Sequence, residues 1–174
     1  MISPFISTPT REVDGKKVIS FGASSFGQDV RLAPEYKIFT NQYNAIVDPK
    51  EFDPNCFVTA AGPTCLIPPN SFILARTIEY FQIPGNILGI VFPKSTIARC
   101  GIVVSTTVLE PSWSGYLTLE IANTTPLPAR VYANEGIAQI CFLQSEEPRF
   151  NYANRPSGAG KYQSQGAEIV LPRL

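Results

Sequence analysis

Proline and glycine cut this chain into short apolar runs, and only one window between the breaks reads as a helix. Sixteen Pro and 12 Gly are spread over 174 residues. Pro fixes φ and removes a ladder donor, while Gly supplies turn conformations, so this punctuation favours short strands joined by tight turns. Runs rich in Val, Ile, Thr, Tyr and Phe fall at 17–20, 28–32, 36–40, 65–67, 71–76, 79–83, 87–92, 102–109, 116–123, 129–132 and 136–143. The polar stretch 41–62 reads as a loop holding one more short strand at 57–59. Gln28, Val30 and Leu32 alternate with Asp29 and Arg31, as in a half-buried strand. The near-continuous apolar run 87–92 suits a central strand. The helix is expected over 93–100, with Pro93 at its entry, Ser95 or Thr96 as its cap and Gly101 at its end. The spacing predicts an all-β fold, a barrel or sandwich with one short helix.

A hydrophobic content of 44% in this length is enough for one domain with a real core, spanning 1–174. Residues 1–16 are expected to form an irregular N-terminal arm or edge, and 148–166 a polar, Gly-rich closing segment. Lys+Arg and Asp+Glu are both 14, so a basic nucleic-acid surface is not expected, while a local cationic pocket stays open. No apolar run approaches the roughly 20 residues of a membrane span, and the N-terminus lacks a signal-peptide layout, so a cytoplasmic protein is expected. There is no histidine, which removes a His-based triad, a Cys–His nucleophile and most catalytic zinc sites. The four cysteines form no CxxC pair, and Cys65, Cys100 and Cys141 beside apolar runs read as reduced, buried thiols.

The densest chemistry lies in 89–123. Ser95 and Arg99 stand four apart and share one helix face. A helix N-terminus offers free N–H groups and the positive dipole end; Lys94 adds a charge, and Ser95 and Thr96 add hydroxyls. This group is either a phosphate cradle or an ordinary capped connector. In the strand that follows, Leu117, Leu119 and Ile121 point to one side and Tyr116, Thr118 and Glu120 to the other. Glu120 is then a solvated outer-face residue, a residue at a subunit interface, or a pocket carboxylate paired with Arg99. In the pocket reading, desolvation raises its pKa and lets it shuttle protons while Arg99 holds its orientation. Glu110 closes the preceding strand at a turn. Trp113, the only Trp, reads as a core anchor or as a ligand platform. Tyr152, Lys161, Tyr162 and Gln165 sit among Gly and Ser, in a lid over an anionic ligand or in a disordered tail.

Taken in order, six segments resemble the dCTP deaminase family, within the trimeric dUTPase-like β-barrel group. They are 24–31 (SSFGQDVR), 67–72 (IPPNSF), 94–101 (KSTIARCG), 110–116 (EPSWSGY), 119–128 (LEIANTTPLP) and 161–166 (KYQSQG). Each alone is weak; six in the right order are specific, and they run from about Ser20 to the C-terminus. The resemblance implies a distorted β-barrel or jelly-roll of the dUTPase-like type, assembled as a homotrimer with active sites between subunits. It implies metal-independent hydrolytic deamination of dCTP to dUTP and ammonia, in the supply of dTTP precursors. Mg2+ would be bound only through the nucleotide triphosphate, with no zinc. The missing histidines agree, because zinc deaminases need a ligand set of one His with two Cys, or of three Cys.

In the terms of that resemblance, Glu120 is similar to the catalytic acid/base. Ser95 and Arg99 are similar to residues that position the water and the glutamate. Lys94, Ser95 and Thr96 match the phosphate-binding turn, and the backbone of Thr118, Leu119 and Glu120 matches the base-reading edge. Gln139, Tyr152, Lys161 and Gln165 match nucleotide-binding positions, the last three from a closing C-terminal lid. Glu110 matches an acid that holds the sugar 3′-OH, and in bifunctional relatives it also serves a pyrophosphatase step. The expected partners are dCTP and dUTP, with dTTP as a further inhibitory ligand and neither nucleic acid nor membrane.

The chain departs from the family pattern in four places. In many members a helical arm precedes the segment matching 1–5, and this chain is expected to lack it. Residues 105–109 (STTVL) stand where the family more often runs to Thr-Pro-Phe or Thr-Ala-His, close to the reacting amino group. Gln28 replaces a common Tyr, and 156–160 lengthens the lid. Besides the deaminase, two readings stand: a dUTPase or bifunctional enzyme giving dUMP and pyrophosphate, and a non-enzymatic dUTPase-like nucleotide-binding regulator. Glu120, Arg99 and the lid residues favour the deaminase, since a plain dUTPase has an apolar or neutral residue where Glu120 stands.

Overall fold

Period-2 alternation decides which face of each strand is buried, and the buried faces meet in one core. The computed structural model describes residues 1–42 and 46–173. Its strands are β1 (Ile2–Ser3), β2 (Thr10–Val13), β3 (Lys16–Ala23), β4 (Gly27–Arg31), β5 (Glu35–Phe39), β6 (Phe57–Ala61) and β7 (Thr64–Ile67). They continue with β8 (Ser71–Gln82), β9 (Ile87–Pro93), β10 (Ile102–Ser105), β11 (Ser114–Asn123), β12 (Ala129–Tyr132) and β13 (Gly136–Gln144). The one α-helix among the described residues, α1, spans Ser95–Ala98, and a 3-10 turn spans Pro54–Cys56.

The larger sheet runs β10-β11-β8-β5-β6, with β1 also on β8. A second sheet runs β2-β3-β4-β13-β9, and β12 pairs with β7. The named strand pairings are antiparallel, and the sheets do not join into a closed ring. The result is mostly β, a distorted fold with one short helix, as the punctuation predicts. Val30, Leu32, Ile67, Ile73, Phe81, Leu119, Ile121, Ile137 and Ile140 are buried between the sheets. Each such side chain contributes roughly 1.5–3 kcal/mol by leaving water. Among the described residues no helix is long and apolar enough to cross a membrane.

Several expectations need correction. The break expected between 76 and 79 does not exist; β8 runs unbroken through it. The polar residues there are paired internally. Thr77 Oγ1 donates to Glu79 O and accepts from Leu117 N–H, at 2.8 and 3.1 Å. The fully buried Glu79 accepts from Arg31 Nε at 2.8 Å and from Arg31 N–H at 2.9 Å. The strand expected over 102–109 stops at Ser105, because Leu109 instead exchanges two backbone bonds with Gly89. The helix expected over 93–100 shrinks to α1, since Pro93 stays in β9 opposite Ala138. Lys94 takes the N-cap position with no side-chain cap, so neither Ser95 nor Thr96 caps the helix. Gly101 does end it, at φ +71°. Within 1–16, β1 pairs with β8 and β2 forms the outer strand of the second sheet. Cys100, expected buried, is exposed, because Ile97 is the buried residue of α1.

Candidate active site

A cavity of about 440 Å3 opens where the outward face of β8 and β11 meets the loop after β10. Leu119 and Ile121 turn into the core, which leaves Thr118 and Glu120 on the cavity side. Tyr116 N–H turns away from β8 to Gln165 O at 3.0 Å, and Leu117 N–H turns back to Thr77 Oγ1. By that alternation the Thr118 peptide N–H and C=O face away from β8. β10 reaches only as far as Ser105, opposite Glu120, so it leaves the Thr118 edge uncovered. Among the described residues no strand covers that edge, which lies on the cavity wall next to a carboxylate.

The electrostatics of this wall are uneven. Glu120 reaches solvent at the cavity mouth, yet desolvation by the surrounding chain pushes its pKa from 4.5 up to about 7, with a backbone hydrogen bond pulling the other way. Glu110, which also lines the cavity, forms an ion pair with Arg155. The C-terminal segment is folded onto the turn between β10 and β11. Tyr152 N–H donates to Pro111 O at 3.0 Å, Gln163 Nε2 to Ser112 O at 3.0 Å, and Gln165 Nε2 to Thr118 Oγ1. Trp113 is both anchor and wall: its Nε1 donates to Tyr162 O at 2.8 Å, its ring packs against Phe81, and it lines the cavity.

The helix-turn residues lie elsewhere. Ser95 and Thr96 of α1 and Arg99 at its C-cap are exposed. Lys94 forms an ion pair with Asp29 of β4, beside Gln139, which sits across from Asp29 on β13. α1 precedes the Ile102 end of β10, which pairs with Asn123, whereas Glu120 pairs with Ser105 at the other end. Three residues of strand put about 10 Å between those ends. The Arg99–Glu120 pair is accordingly not made within one chain, and among the described residues no ion pair involves either side chain. Lys161 is also off the cavity: it is exposed and its Nζ donates to Arg173 O at 3.2 Å. The sequence-predicted residues that converge on the cavity are Glu110, Thr118, Glu120, Tyr152 and Gln165. Among the described residues no three or more Cys, Asp or Glu side chains gather as a ligand set for a metal ion.

A family model for dCTP deaminase-like domains matches residues 10–145. The chain belongs to the dCTP deaminase-like family. A dCTP deaminase from Roseiflexus castenholzii is 58% identical over 175 residues, which span 100% of this chain and 91% of that protein. A dCTP deaminase from Laribacter hongkongensis is 56% identical over 174 residues, spanning 99% and 90%. The crystal structure of 2′-deoxycytidine 5′-triphosphate deaminase from Agrobacterium tumefaciens shares the fold, with a TM-score of 0.56. That match covers 71% of this chain and 40% of the other at 17% identity.

For this member of the dCTP deaminase-like family, sequence reasoning missed the apolar wall of the cavity. Phe52, Phe57, Phe72 and Leu74 line it, with Val47 and Pro49 of the long loop. The rings form one cluster: Phe39 stacks on Phe72 at 4.8 Å, and Phe57 meets Phe72 edge-on at 5.6 Å. The signal was present, since Phe39, Phe57 and Phe72 share a face once β5 is paired with β6 and β8, but that register is not written in any one segment. Arg155 was also missed as a neighbour of the site, whereas Tyr162, singled out in the closing segment, lines the cavity. The loop 106–109, singled out for its departure from the family, does line the cavity together with Glu120.

Proposed function

We propose that this chain is a dCTP deaminase in which Glu120 is the general acid/base. The observation that carries the reading is the Glu120 carboxyl, raised to about 7, standing beside the uncovered Thr118 peptide edge in a cavity. A group that titrates near neutral pH can both accept and return a proton, and a peptide N–H and C=O side by side complement the edge of a cytosine ring. Glu120 takes a proton from water as the oxygen attacks C4 of the base. That proton goes to N3 of the ring; as the tetrahedral centre collapses, Glu120 passes the proton of the new hydroxyl to the amine, which leaves as ammonia, giving dUTP. Water thus supplies the oxygen gained, one hydrogen to the ring and one to the ammonia, so the step balances without an oxidant or reductant.

In this reading Glu110 accepts from the sugar 3′-OH, while Tyr152 and Gln165 close the cavity from the C-terminal segment. Leu119 contributes only backbone, since its side chain is in the core. Ser95 and Arg99 orient the water and Glu120 from a second copy of the chain, within a homotrimer; their separation from Glu120 inside one chain supports this. Lys94, Thr96, Gln139 and Lys161 serve the triphosphate, with Mg2+ arriving on the nucleotide. Lys94 would then exchange Asp29 for phosphate.

The test is incubation with dCTP and Mg2+ while ammonia and pyrophosphate are followed together. Ammonia without pyrophosphate is the expected result. Both products in step would make the enzyme bifunctional, a reading favoured by Glu110 lining the same cavity. Pyrophosphate from dUTP with no ammonia from dCTP, or nucleotide binding with neither product, would overturn the deaminase reading. Light scattering tests the trimer independently.

A further inference from the structure

The cation that meets Glu110 belongs to none of the residues given a role above. Arg155 Nη2 donates to Glu110 Oε2, and the Arg155 guanidinium lies over the Tyr152 ring, 4.9 Å from its centroid. Tyr152 is itself held at several points. Its N–H donates to Pro111 O, its carbonyl accepts from Gly160 N–H at 2.8 Å, and its hydroxyl accepts from Tyr162 N–H at 3.1 Å. A Cβ at position 160 would sit 2.1 Å from Cζ of that ring, so only glycine lets the ring lie against the backbone there. The backbone thus fixes the ring, the ring and carboxylate fix the guanidinium, and the guanidinium fixes one oxygen of Glu110. Among the described residues Glu110 Oε1 has no hydrogen-bond partner, and Glu110 lines the cavity.

We propose that Arg155 is a positioning residue for sugar specificity: by anchoring Glu110 Oε2 against the fixed Tyr152 ring, it presents Oε1 as a rigid acceptor for the deoxyribose 3′-hydroxyl. The proposal rests on the deaminase reading above. A carboxylate tethered at one oxygen loses little freedom when a hydroxyl donates to the other, whereas an untethered one must be ordered on binding. Removing Arg155 therefore weakens recognition of the 3′-hydroxyl more than recognition of the base or the phosphates. A merely structural latch for the C-terminal segment would weaken all three alike.

The experiment compares ammonia release from dCTP and from 2′,3′-dideoxycytidine triphosphate in wild type, Arg155→Met, Arg155→Lys and Glu110→Gln. Met keeps the aliphatic packing while removing the charge. The expected result is a loss of about 5- to 30-fold in the preference for dCTP in Arg155→Met, carried by KM for dCTP, with kcat/KM for the dideoxy nucleotide unchanged. Arg155→Lys retains part of the preference, and adding Arg155→Met to Glu110→Gln causes no further loss. Equal losses on both nucleotides, or additive losses in the double variant, overturn the proposal. If wild type releases no ammonia, the deaminase reading itself has failed. Calorimetric affinities for the two nucleotides then carry the same comparison, and an unchanged affinity ratio in Arg155→Met overturns the positioning role.

Discussion

Replacing Glu120 by Gln keeps the shape of the side chain and removes its titration. The magnitude follows from the shift. With a pKa of about 7, half the carboxyl is ionised at neutral pH, and each pH unit below that removes about tenfold of the base form. Wild-type kcat/KM for ammonia release should therefore fall about tenfold per unit on the acid side, beginning near pH 7 rather than near 4.5. The Gln variant should bind nucleotide and lose about 10²–10⁴-fold in turnover, with no acid limb. The assay is initial ammonia release at low dCTP between about pH 3.5 and 9. An inflection near 4.5, or a Gln variant within tenfold of wild type, would refute the role. Stability gives a second readout. The folded pKa lies above the unfolded value, so the contribution of Glu120 is fully present below about 4.5 and is lost as pH rises through about 7. Wild type should lose stability relative to Glu120→Gln across that window and run parallel to it above.

Two further predictions concern buried polar residues that support the site. Glu79→Ala strands Arg31, whose Nη2 already has no hydrogen-bond partner among the described residues, and should cost about 3–5 kcal/mol in urea unfolding followed by Trp113 fluorescence. The pair Arg31→Met with Glu79→Leu should recover most of that; a double variant as weak as the single one would show that the ion pair is not the cause. Asn123 is buried, donates to the carbonyls of Ile67, Pro68 and Leu127, and accepts from Thr125 N–H and Oγ1. Asn123→Ala should cost about 1–3 kcal/mol or more for the groups it orphans, whereas a midpoint shift below about 0.5 kcal/mol would mean that water replaces the amide.

What the sequence made legible was local. Residues 129–132 coincide with β12, and 87–92 with all but the last residue of β9, because strand period and turn chemistry act over a few neighbours. The motif 119–128 stood out, and its Asn123 proves to be a hub of hydrogen bonds that locks the turn after β11. Non-local pairings stayed hidden. The polar run at 76–79 looked like a break because its partners, Arg31 and Leu117 N–H, are 48 and 40 residues away. Lys94 looked like a free phosphate ligand because Asp29, its partner, lies 65 residues upstream on another strand. Arg155 was not seen as the partner of Glu110 because it reaches it from the tail, 45 residues on.

Register also explains why one motif reading produced two separate clusters. In the proposed mechanism Ser95, Arg99 and Glu120 belong to one chemistry, but the β10–β11 pairing sets α1 and Glu120 at opposite ends of a four-residue strand. If a second copy supplies Ser95 and Arg99, the defect of each chain can be covered by its neighbour. Arg99→Ala and Glu120→Gln should each be inactive alone. Mixed as equal amounts of unfolded chain and refolded together, they form trimers in which a site is intact when Glu120 comes from the first variant and Arg99 from the second. Random assembly makes about one quarter of the sites intact. Ammonia release by the mixture should approach that fraction of the wild-type rate, while each variant refolded alone stays at background. A mixture no more active than its components would mean that Arg99 and Glu120 act within the same chain, and the separation in register would then have to be closed by movement of α1.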